Sequence, residues 1–279
     1  MISFVILNYM AVKRTMKTVD EILQLDGPKN VVIVDNASPN GSFKLLKARY
    51  RSNPSVTLIY NKHNLGFAKG NNIGYLVAKK SNPDFIVVMN SDMDIIQNNL
   101  IERIYKSYAT HRFHIMGPDI IKKESGEHQN PQKDKFNLQS LEKLQKKLVL
   151  KNRLKFLFWI RWHLFPNLHK EKRISKDRVT KTVTNCVLHG SFYVFSQDFI
   201  KDNSTCFFDK TFMYMESYIL YHVATKKKYV LIYDPSIEVL HDDDASTNVS
   251  HNSRYSKAVF SNKALLQSTN EFIKLLRSE

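Results

Sequence analysis

The sequence predicts an α/β protein: a mostly parallel sheet with helices on both faces, a basic helical insertion and C-terminal helices. Two observations carry the sheet. Apolar, β-branched runs alternate with segments of helical spacing through the first hundred residues, and each run stops on polar or acidic residues. The insertion follows from charge. Of a net +16, the stretch from Lys133 to Lys181 contributes +11, with fifteen Lys/Arg against four Asp/Glu.

Ile2 to Leu7 is a first buried strand, ending on Asn8-Tyr9. Val12, Met16, Val19, Ile22 and Leu23 fall near helical spacing, and Gly27-Pro28 closes that helix. Val31 to Val34 is a second strand, finished by Asp35-Asn36-Ala37-Ser38. A helix over Ser42 to Tyr50 and a strand over Val56 to Tyr60 follow. Asn64 to Gly74 opens a helix reaching about Lys79; its glycines either let backbone approach a ligand or serve tight helix–sheet packing. Phe85 to Met89 is the fourth strand, running into Asn90-Ser91-Asp92-Met93-Asp94, with a helix expected over Ile95 to Tyr108. Beyond the insertion, strands surround His189-Gly190-Ser191 and a helix starts at Glu216. Tyr229 to Tyr233 and Ile237 to Leu240 read as two strands broken at Asp234-Pro235. Asn252 to Leu276 supplies one or two terminal helices. The expected organisation is 1–125, a nucleotide-binding half; 126–181, the insertion; and 182–279, the second half.

Composition narrows the class. An apolar content of 43% with 11% aromatics supports a packed core, and 8 Gly with 8 Pro argue against low-complexity linkers. Cys186 and Cys206 lack metal-type spacing and read as reduced thiols of a cytosolic protein. The N-terminus lacks a basic region and a cleavage site, so it reads as a strand and not a leader. No run of about 18 uncharged apolar residues predicts a membrane span. A nucleic-acid binder would explain +16 but not acids at strand ends, so no nucleic-acid partner is expected.

Two carboxylates at i and i+2 repel unless a cation lies between them or one is protonated. Placed after a buried strand, Asp92 and Asp94 sit where open α/β sheets keep ligands, and hard oxygen donors suit Mg²⁺ or Mn²⁺ shared with phosphates. Asp35 is suited to accept hydrogen bonds from a ribose or base, and Lys69 to meet a phosphate; an Asx turn and a helix start are their structural alternatives. His241, opening His-Asp-Asp-Asp, has a ring that completes such a metal shell, or else ends a strand on the surface. Walker A and Gly-x-Gly-x-x-Gly patterns are absent.

Taken together, Asn8-Tyr9, Asp35-Asn36-Ala-Ser38, Asn64-Leu-Gly66-Phe67-x-x-Gly70-Asn71-Asn72-x-Gly74, Asn-x-Asp92-x-Asp94, His189-Gly190-Ser191, Phe212-Met-Tyr-Met-Glu216 and Val239-Leu-His241 resemble family 2 glycosyltransferases, nearest their bacterial rhamnosyltransferase-like branch. The resemblance implies a GT-A fold with a mixed, mostly parallel sheet and a nucleoside-diphosphate sugar donor, dTDP-rhamnose or a UDP-hexose. It also implies inversion at the anomeric carbon and a role in surface polysaccharide synthesis. Donor contacts are implied at Asn8, Asp35, Asn36, Gly66, Lys69, Asn72, Asp92 and Gly190, and Mg²⁺ or Mn²⁺ at Asp92, Asp94 and His241. Glu216 falls on the family's acidic pair that includes the catalytic base; Ser217 replaces the second acid. Glu216 is therefore the expected base, with Asp209 or one of residues 242–244 as substitutes and a weak or inactive enzyme as the alternative. A sugar-nucleotide nucleotidyltransferase would want a basic Gly-rich loop after strand one, which Asn8-Tyr9-Met10-Ala11 is not. On this reading, replacing Asp94 or Glu216 lowers turnover by about 10²-fold.

Inside the insertion, Lys155, Trp159, Arg161 and Trp162 belong to an aromatic run framed by cations. That pattern describes a segment lying in an anionic membrane interface, with a lipid-linked saccharide acceptor at the cytoplasmic face of the plasma membrane. The alternative is a helical pair packed on the catalytic domain or on a second subunit of a homodimer.

Overall fold

The computed structural model describes residues 1–132, 135–154, 178–242 and 253–279. Strands β1 (Ile2–Asn8), β2 (Lys29–Asp35), β3 (Val56–Tyr60) and β4 (Phe85–Asn90) alternate with helices α1 (Val12–Gln24), α2 (Ser42–Tyr50) and α3 (Gly66–Lys79). Then come β5 (Met93–Ile95), α4 (Leu100–His111), β6 (Ile115–Lys122) and α5 (Leu138–Arg153). The described chain closes with β7 (Val183–Thr184), β8 (Phe192–Ser196), α6 (Gln197–Asp202), α7 (Glu216–Lys226), β9 (Leu231–His241) and α8 (Arg254–Arg277).

All nine strands join one sheet in the order β3-β2-β1-β4-β8-β6-β9-β5, with β7 on β9. The β1, β2, β3 and β4 pairings are parallel, as right-handed crossovers through helices require; β8 enters antiparallel between β4 and β6. Parallel register pairs predominate, because β6 and β9 also run parallel over most of their length. Strands β1, β2 and β4 are apolar on both sides because both faces are covered. Phe4, Ile6, Val31 and Val87 pack under α1 and α4, while Val5, Val34, Ile86 and Val88 pack under α3 and α6.

Three elements differ from the sequence expectation. Helix α4 starts at Leu100, not Ile95, because Met93–Ile95 is drawn into the sheet against β9. Strand β9 is continuous through Asp234-Pro235. The ladder jumps from Pro118↔Asp234 to Asp119↔Glu238, and that bulge houses a residue with no N–H to give. Strand β6 was not anticipated; its Gly117-Pro118 interrupts the apolar pattern that marks the other strands.

Beside the sheet, α5 lies against α8 and α7. Leu141, Met215, Ile219, Phe272 and Ile273 form a separate apolar cluster there. Asn137 and Ser253 begin α5 and α8 with reciprocal capping boxes. No helix among the described residues is long and apolar enough to cross a membrane.

Candidate active site

The carboxyl ends of β1, β2 and β4 open onto a cavity of about 630 Å³. Its far wall is built by the turn before β8, the loop ahead of α7, and helices α5 and α8.

The edge of the cavity at the end of β2 and the start of α3 is a network of amides. Asn36 donates to Asn64 Oδ1 (2.8 Å) and Gly66 O (3.1 Å) and accepts from Asn61 Nδ2 and the Leu65 N–H (3.0 Å each). Asn36, Asn64, Gly66, Tyr9 and Phe67 line the cavity. Gly66 is fixed by sterics: φ is +79°, and a Cβ there would lie 2.2 Å from the Phe212 carbonyl oxygen, which accepts from the Phe67 N–H at 2.6 Å. That approach seats the loop before α7 on the start of α3.

Several predicted donor residues serve the scaffold. Asn8 and Asp35 are fully buried and do not line the cavity. Asn8 donates to Asp35 Oδ2 (2.6 Å) and accepts from Thr15 Oγ1 (2.7 Å), while Asp35 Oδ1 accepts the Ser38 N–H (3.0 Å). Asn72 is buried; it donates to Phe207 O and accepts from the Cys206 and Phe207 N–H groups. Lys69 points to solvent on α3, away from the cavity lining. The α3 glycines serve packing. A Cβ on Gly74 would meet Val5 at 2.4 Å, so helix and sheet touch backbone to side chain.

Past Asn90 the chain turns sharply. Thr18 on α1 clamps that turn, donating to Ser91 O (2.9 Å) and Met93 O (3.0 Å). The two acids diverge where this turn gives way to β5. Asp92 lines the cavity, whereas Asp94 lies outside it, held by Lys17 and by Lys123 (2.7 Å). The i, i+2 spacing therefore does not bring both carboxylates into the cavity: Asp92 ends the turn, whereas Asp94 lies in β5 and faces Lys17 and Lys123. Burial alone would push the Asp94 carboxyl up, but hydrogen bonds from Lys123 and Lys17 outweigh it and hold it below the usual range. Such a group stabilises the fold above its unfolded pKa and loses that contribution as pH falls through the folded value. Asp94→Ala is thus expected to cost about 1 kcal/mol of stability at pH 7, since both lysines are half exposed, with turnover changed less than about threefold. Urea unfolding at pH 7 and pH 3, with the difference shrinking at pH 3, checks it.

Asp92 is instead paired with His241 from the end of β9. Asp92 Oδ1 is buried, has no hydrogen-bond partner and lies 3.4 Å from His241 Nε2. His241 Nδ1 is 2.7 Å from Gln129 Oε1, an acceptor, which puts the ring proton on Nδ1 and turns the Nε2 lone pair toward Asp92. Two electron-pair donors facing each other at a cavity wall fit a divalent cation, and a hydrogen-bond acceptor behind the imidazole, here Gln129 Oε1, orients such a ring. Among the described residues no group of three His, Cys, Asp or Glu is gathered, so this pair is a partial ligand set.

Across the cavity, Glu216 is the first residue of α7, behind two consecutive left-handed residues, Tyr214 (φ 73°) and Met215 (φ 67°). Non-glycine residues there hold strain, which packed surroundings must fix. Helix α8 does so: Ser268 donates to Met213 O (2.7 Å), Gln267 bonds Phe212 N and Lys210 O, and Ser261 meets Tyr214 OH (2.8 Å). Glu216 is 7% exposed and its Oε1 has no partner. Burial pushes its carboxyl up to about 8, against smaller opposing hydrogen bonds from its own N–H and from Thr211. Ser217 Oγ accepts from Tyr193 OH (2.9 Å) and lies 3.2 Å from where a Gly190 Cβ would be. Of the alternative bases, Asp209 is exposed outside the cavity, Asp242 is paired with Arg14, and residues 243 and 244 lie outside the described residues. So do Lys155, Trp159, Arg161 and Trp162.

Sequence reasoning missed Tyr9, Asn64, Phe67, Asn90, Gln132 and His189 as cavity residues. Asn64 and His189 stood within the recognised patterns, so only their roles were unread. Gln129 and Gln132 carry no sequence signal.

A family model described as Glycosyl transferase family 2 matches residues 3–202. No curated protein matches the sequence. Among solved structures, S. aureus TarS 1-349 superposes with a TM-score of 0.56 at 12% identity, covering 89% of this chain and 62% of that one. GalNAc-T7 with UDP, GalNAc and Mn²⁺ gives 0.58 at 14%, covering 86% and 43%. The mannosyltransferase PcManGT from Pyrobaculum calidifontis, in complex with GDP-Man and Mn²⁺, gives 0.54 at 14%, covering 95% and 69%. At these identities the likeness is one of fold, and the chain spans less than two thirds of the TarS fragment.

Proposed function

This chain belongs to glycosyl transferase family 2, and we propose that it moves a hexosyl or rhamnosyl residue from a nucleoside diphosphate to a saccharide hydroxyl with inversion. One observation carries the reading: two buried carboxylates with partnerless oxygens, Asp92 and Glu216, share one cavity at the carboxyl edge of the sheet. Neighbours of this fold that hold UDP or GDP-Man with Mn²⁺ support a nucleotide-bound sugar as donor.

Asp92 and His241 would hold the cation. When bound, Mg²⁺ or Mn²⁺ neutralises charge developing on the departing diphosphate. The Asn36–Asn64 edge, with Tyr9 and Phe67, receives the nucleoside. Glu216 takes the proton from the acceptor hydroxyl as that oxygen attacks the anomeric carbon from the opposite face, so no covalent intermediate forms. Its apolar setting gives it the basicity for this task and excludes water that would compete. Incubation with a panel of dTDP-, UDP- and GDP-sugars, with Mn²⁺, Mg²⁺ or EDTA, tests the reading. Metal-dependent release of nucleoside diphosphate from one donor is expected, and the anomeric configuration of the product reports inversion. Release from no donor overturns it.

The acceptor is read as lipid-linked at an anionic membrane, on the sequence around Lys155, Trp159, Arg161 and Trp162 alone. Flotation with phosphatidylglycerol vesicles at low salt is expected to carry the protein upward. Protein left at the bottom of the gradient removes the membrane from the proposal.

A further inference from the structure

We infer that the pair Asp119 and His128, away from the cavity, positions the cation end of the site: it fixes the segment that carries Gln129, and through Gln129 it decides which nitrogen of His241 faces Asp92. This rests on the transferase reading above, in which Asp92 and His241 hold the metal.

The segment is the return from β6. Past Lys122 the chain reverses at Gly126 (φ 69°) and runs back antiparallel to β6, with Ile121 opposite His128. The Lys122 N–H donates to Glu127 O and the Gln129 N–H to Ile120 O, 2.8 Å each. Its successive side chains go to different neighbours. His128 Nδ1 donates to both oxygens of Asp119, at 2.8 and 3.0 Å. Gln129 Oε1 accepts from His241 Nδ1 (2.7 Å). Asn130 donates to Pro118 O (2.8 Å) and accepts the His189 N–H (2.6 Å).

Asp119 is the anchor. Its side chain is fully buried in β6, where a carboxylate without partners would be costly, so the groups that meet it are held there. Besides His128 it meets Arg178, whose Nε lies 3.2 Å from Asp119 Oδ2. Arg178 Nη2 also donates to Pro235 O (3.2 Å) and pairs with Glu238. Pro235 and Glu238 belong to the β9 bulge, and His241 ends that strand. One carboxyl thus ties the return segment and the strand of His241 to a single point, with Gln129 between them. A glutamine on a loose backbone would lose side-chain freedom on meeting the imidazole. The ring could then carry its proton on Nε2, where it would donate to Asp92 and offer a cation no lone pair. Asp119, His128 and Gln129 do not line the cavity, so they are positioning residues.

Titration of Mn²⁺ by electron paramagnetic resonance, on the full chain with UDP, tests this as a double-mutant cycle. Gln129→Leu is expected to weaken Mn²⁺ at least about tenfold, and Gln129→Glu to keep or exceed wild-type affinity, since a carboxylate still accepts from Nδ1. His128→Ala should also weaken Mn²⁺ about tenfold. His128→Phe, which keeps the ring and drops the hydrogen bond, should do the same and serves where His128→Ala fails to fold. His128→Gln, whose amide still donates to Asp119, should recover most of the loss. The double variant His128→Phe, Gln129→Leu should bind Mn²⁺ no more weakly than Gln129→Leu alone, because the pair acts through the amide. In the metal-free protein, ¹⁵N spectra should show His241 protonated at Nδ1 in the wild type and as mixed tautomers in Gln129→Leu and His128→Phe. Additive losses, or wild-type Mn²⁺ affinity in the His128 variants, overturn the inference and leave the cation reading standing. A wild-type UDP complex that takes up no Mn²⁺ overturns both.

Discussion

Glu216→Gln is expected to lower turnover by about 10²-fold or more while leaving nucleotide binding intact, because it removes a proton acceptor and keeps the shape. The pH dependence is the sharper mark. With its carboxyl raised to about 8, the wild-type side chain is ionised in only about a tenth of molecules at pH 7. Rate should therefore climb close to tenfold per unit below pH 8 and level off above it, while the residual rate of the variant stays flat. The same shift makes a stability statement of opposite sign. The folded state keeps a proton on Glu216 that the unfolded chain releases near 4.5, so this group contributes nothing adverse below that pH. Its burial destabilises the wild type progressively from there to pH 8, by a few kcal/mol at the plateau. Glu216→Gln should then be more heat-stable than the wild type at pH 9 and equal to it at pH 4. A sloped rate profile in the variant, or equal melting temperatures at pH 9, would remove Glu216 from the role of base.

Asp92→Asn is expected to be comparably severe, with about 10²-fold lower turnover and a loss of at least about tenfold in Mn²⁺ affinity for the UDP complex. The amide keeps the volume but gives up the charge that faces His241 Nε2. His241→Ala should weaken Mn²⁺ less, because Asp92 still presents an anion. Titration of Mn²⁺ by electron paramagnetic resonance, with UDP present, separates the metal from the chemistry. Unchanged Mn²⁺ binding in both variants would show that the partnerless oxygen of Asp92 has another purpose.

The first hundred residues were legible because β1, β2 and β4 are buried on both faces and α1 is amphipathic, so periodicity and composition agree. The Ile2, Val31 and Phe85 runs appear where they were expected. The second half was harder to read because β9 passes a proline through a bulge and β6 contains Gly117-Pro118, both of which a local pattern reads as breaks. At the site, Asp92, Glu216 and His241 were visible as polar residues at element ends, and the fold brings them to one cavity. Asp94 was expected beside Asp92, yet it lies outside the cavity, because spacing along the chain does not show that Asp92 ends a turn while Asp94 enters β5 against two lysines. Asn8, Asp35 and Asn72 were expected at the ligand, yet their side chains are consumed by the scaffold. Gln129 and Gln132 were invisible because an uncharged amide acquires its role only from what the fold places opposite it.

Helix α8 stitches the loop that carries Glu216, yet it lies beyond residue 202, where the family match ends. On the proposed reading, the residues that place the base are therefore set partly outside the matched stretch. Change in α8 and α5 would then reshape the wall beside Glu216 without touching β1, β2 and β4. Exchanging those two helices between relatives would, on that reading, alter the acceptor while the sheet stands as it is.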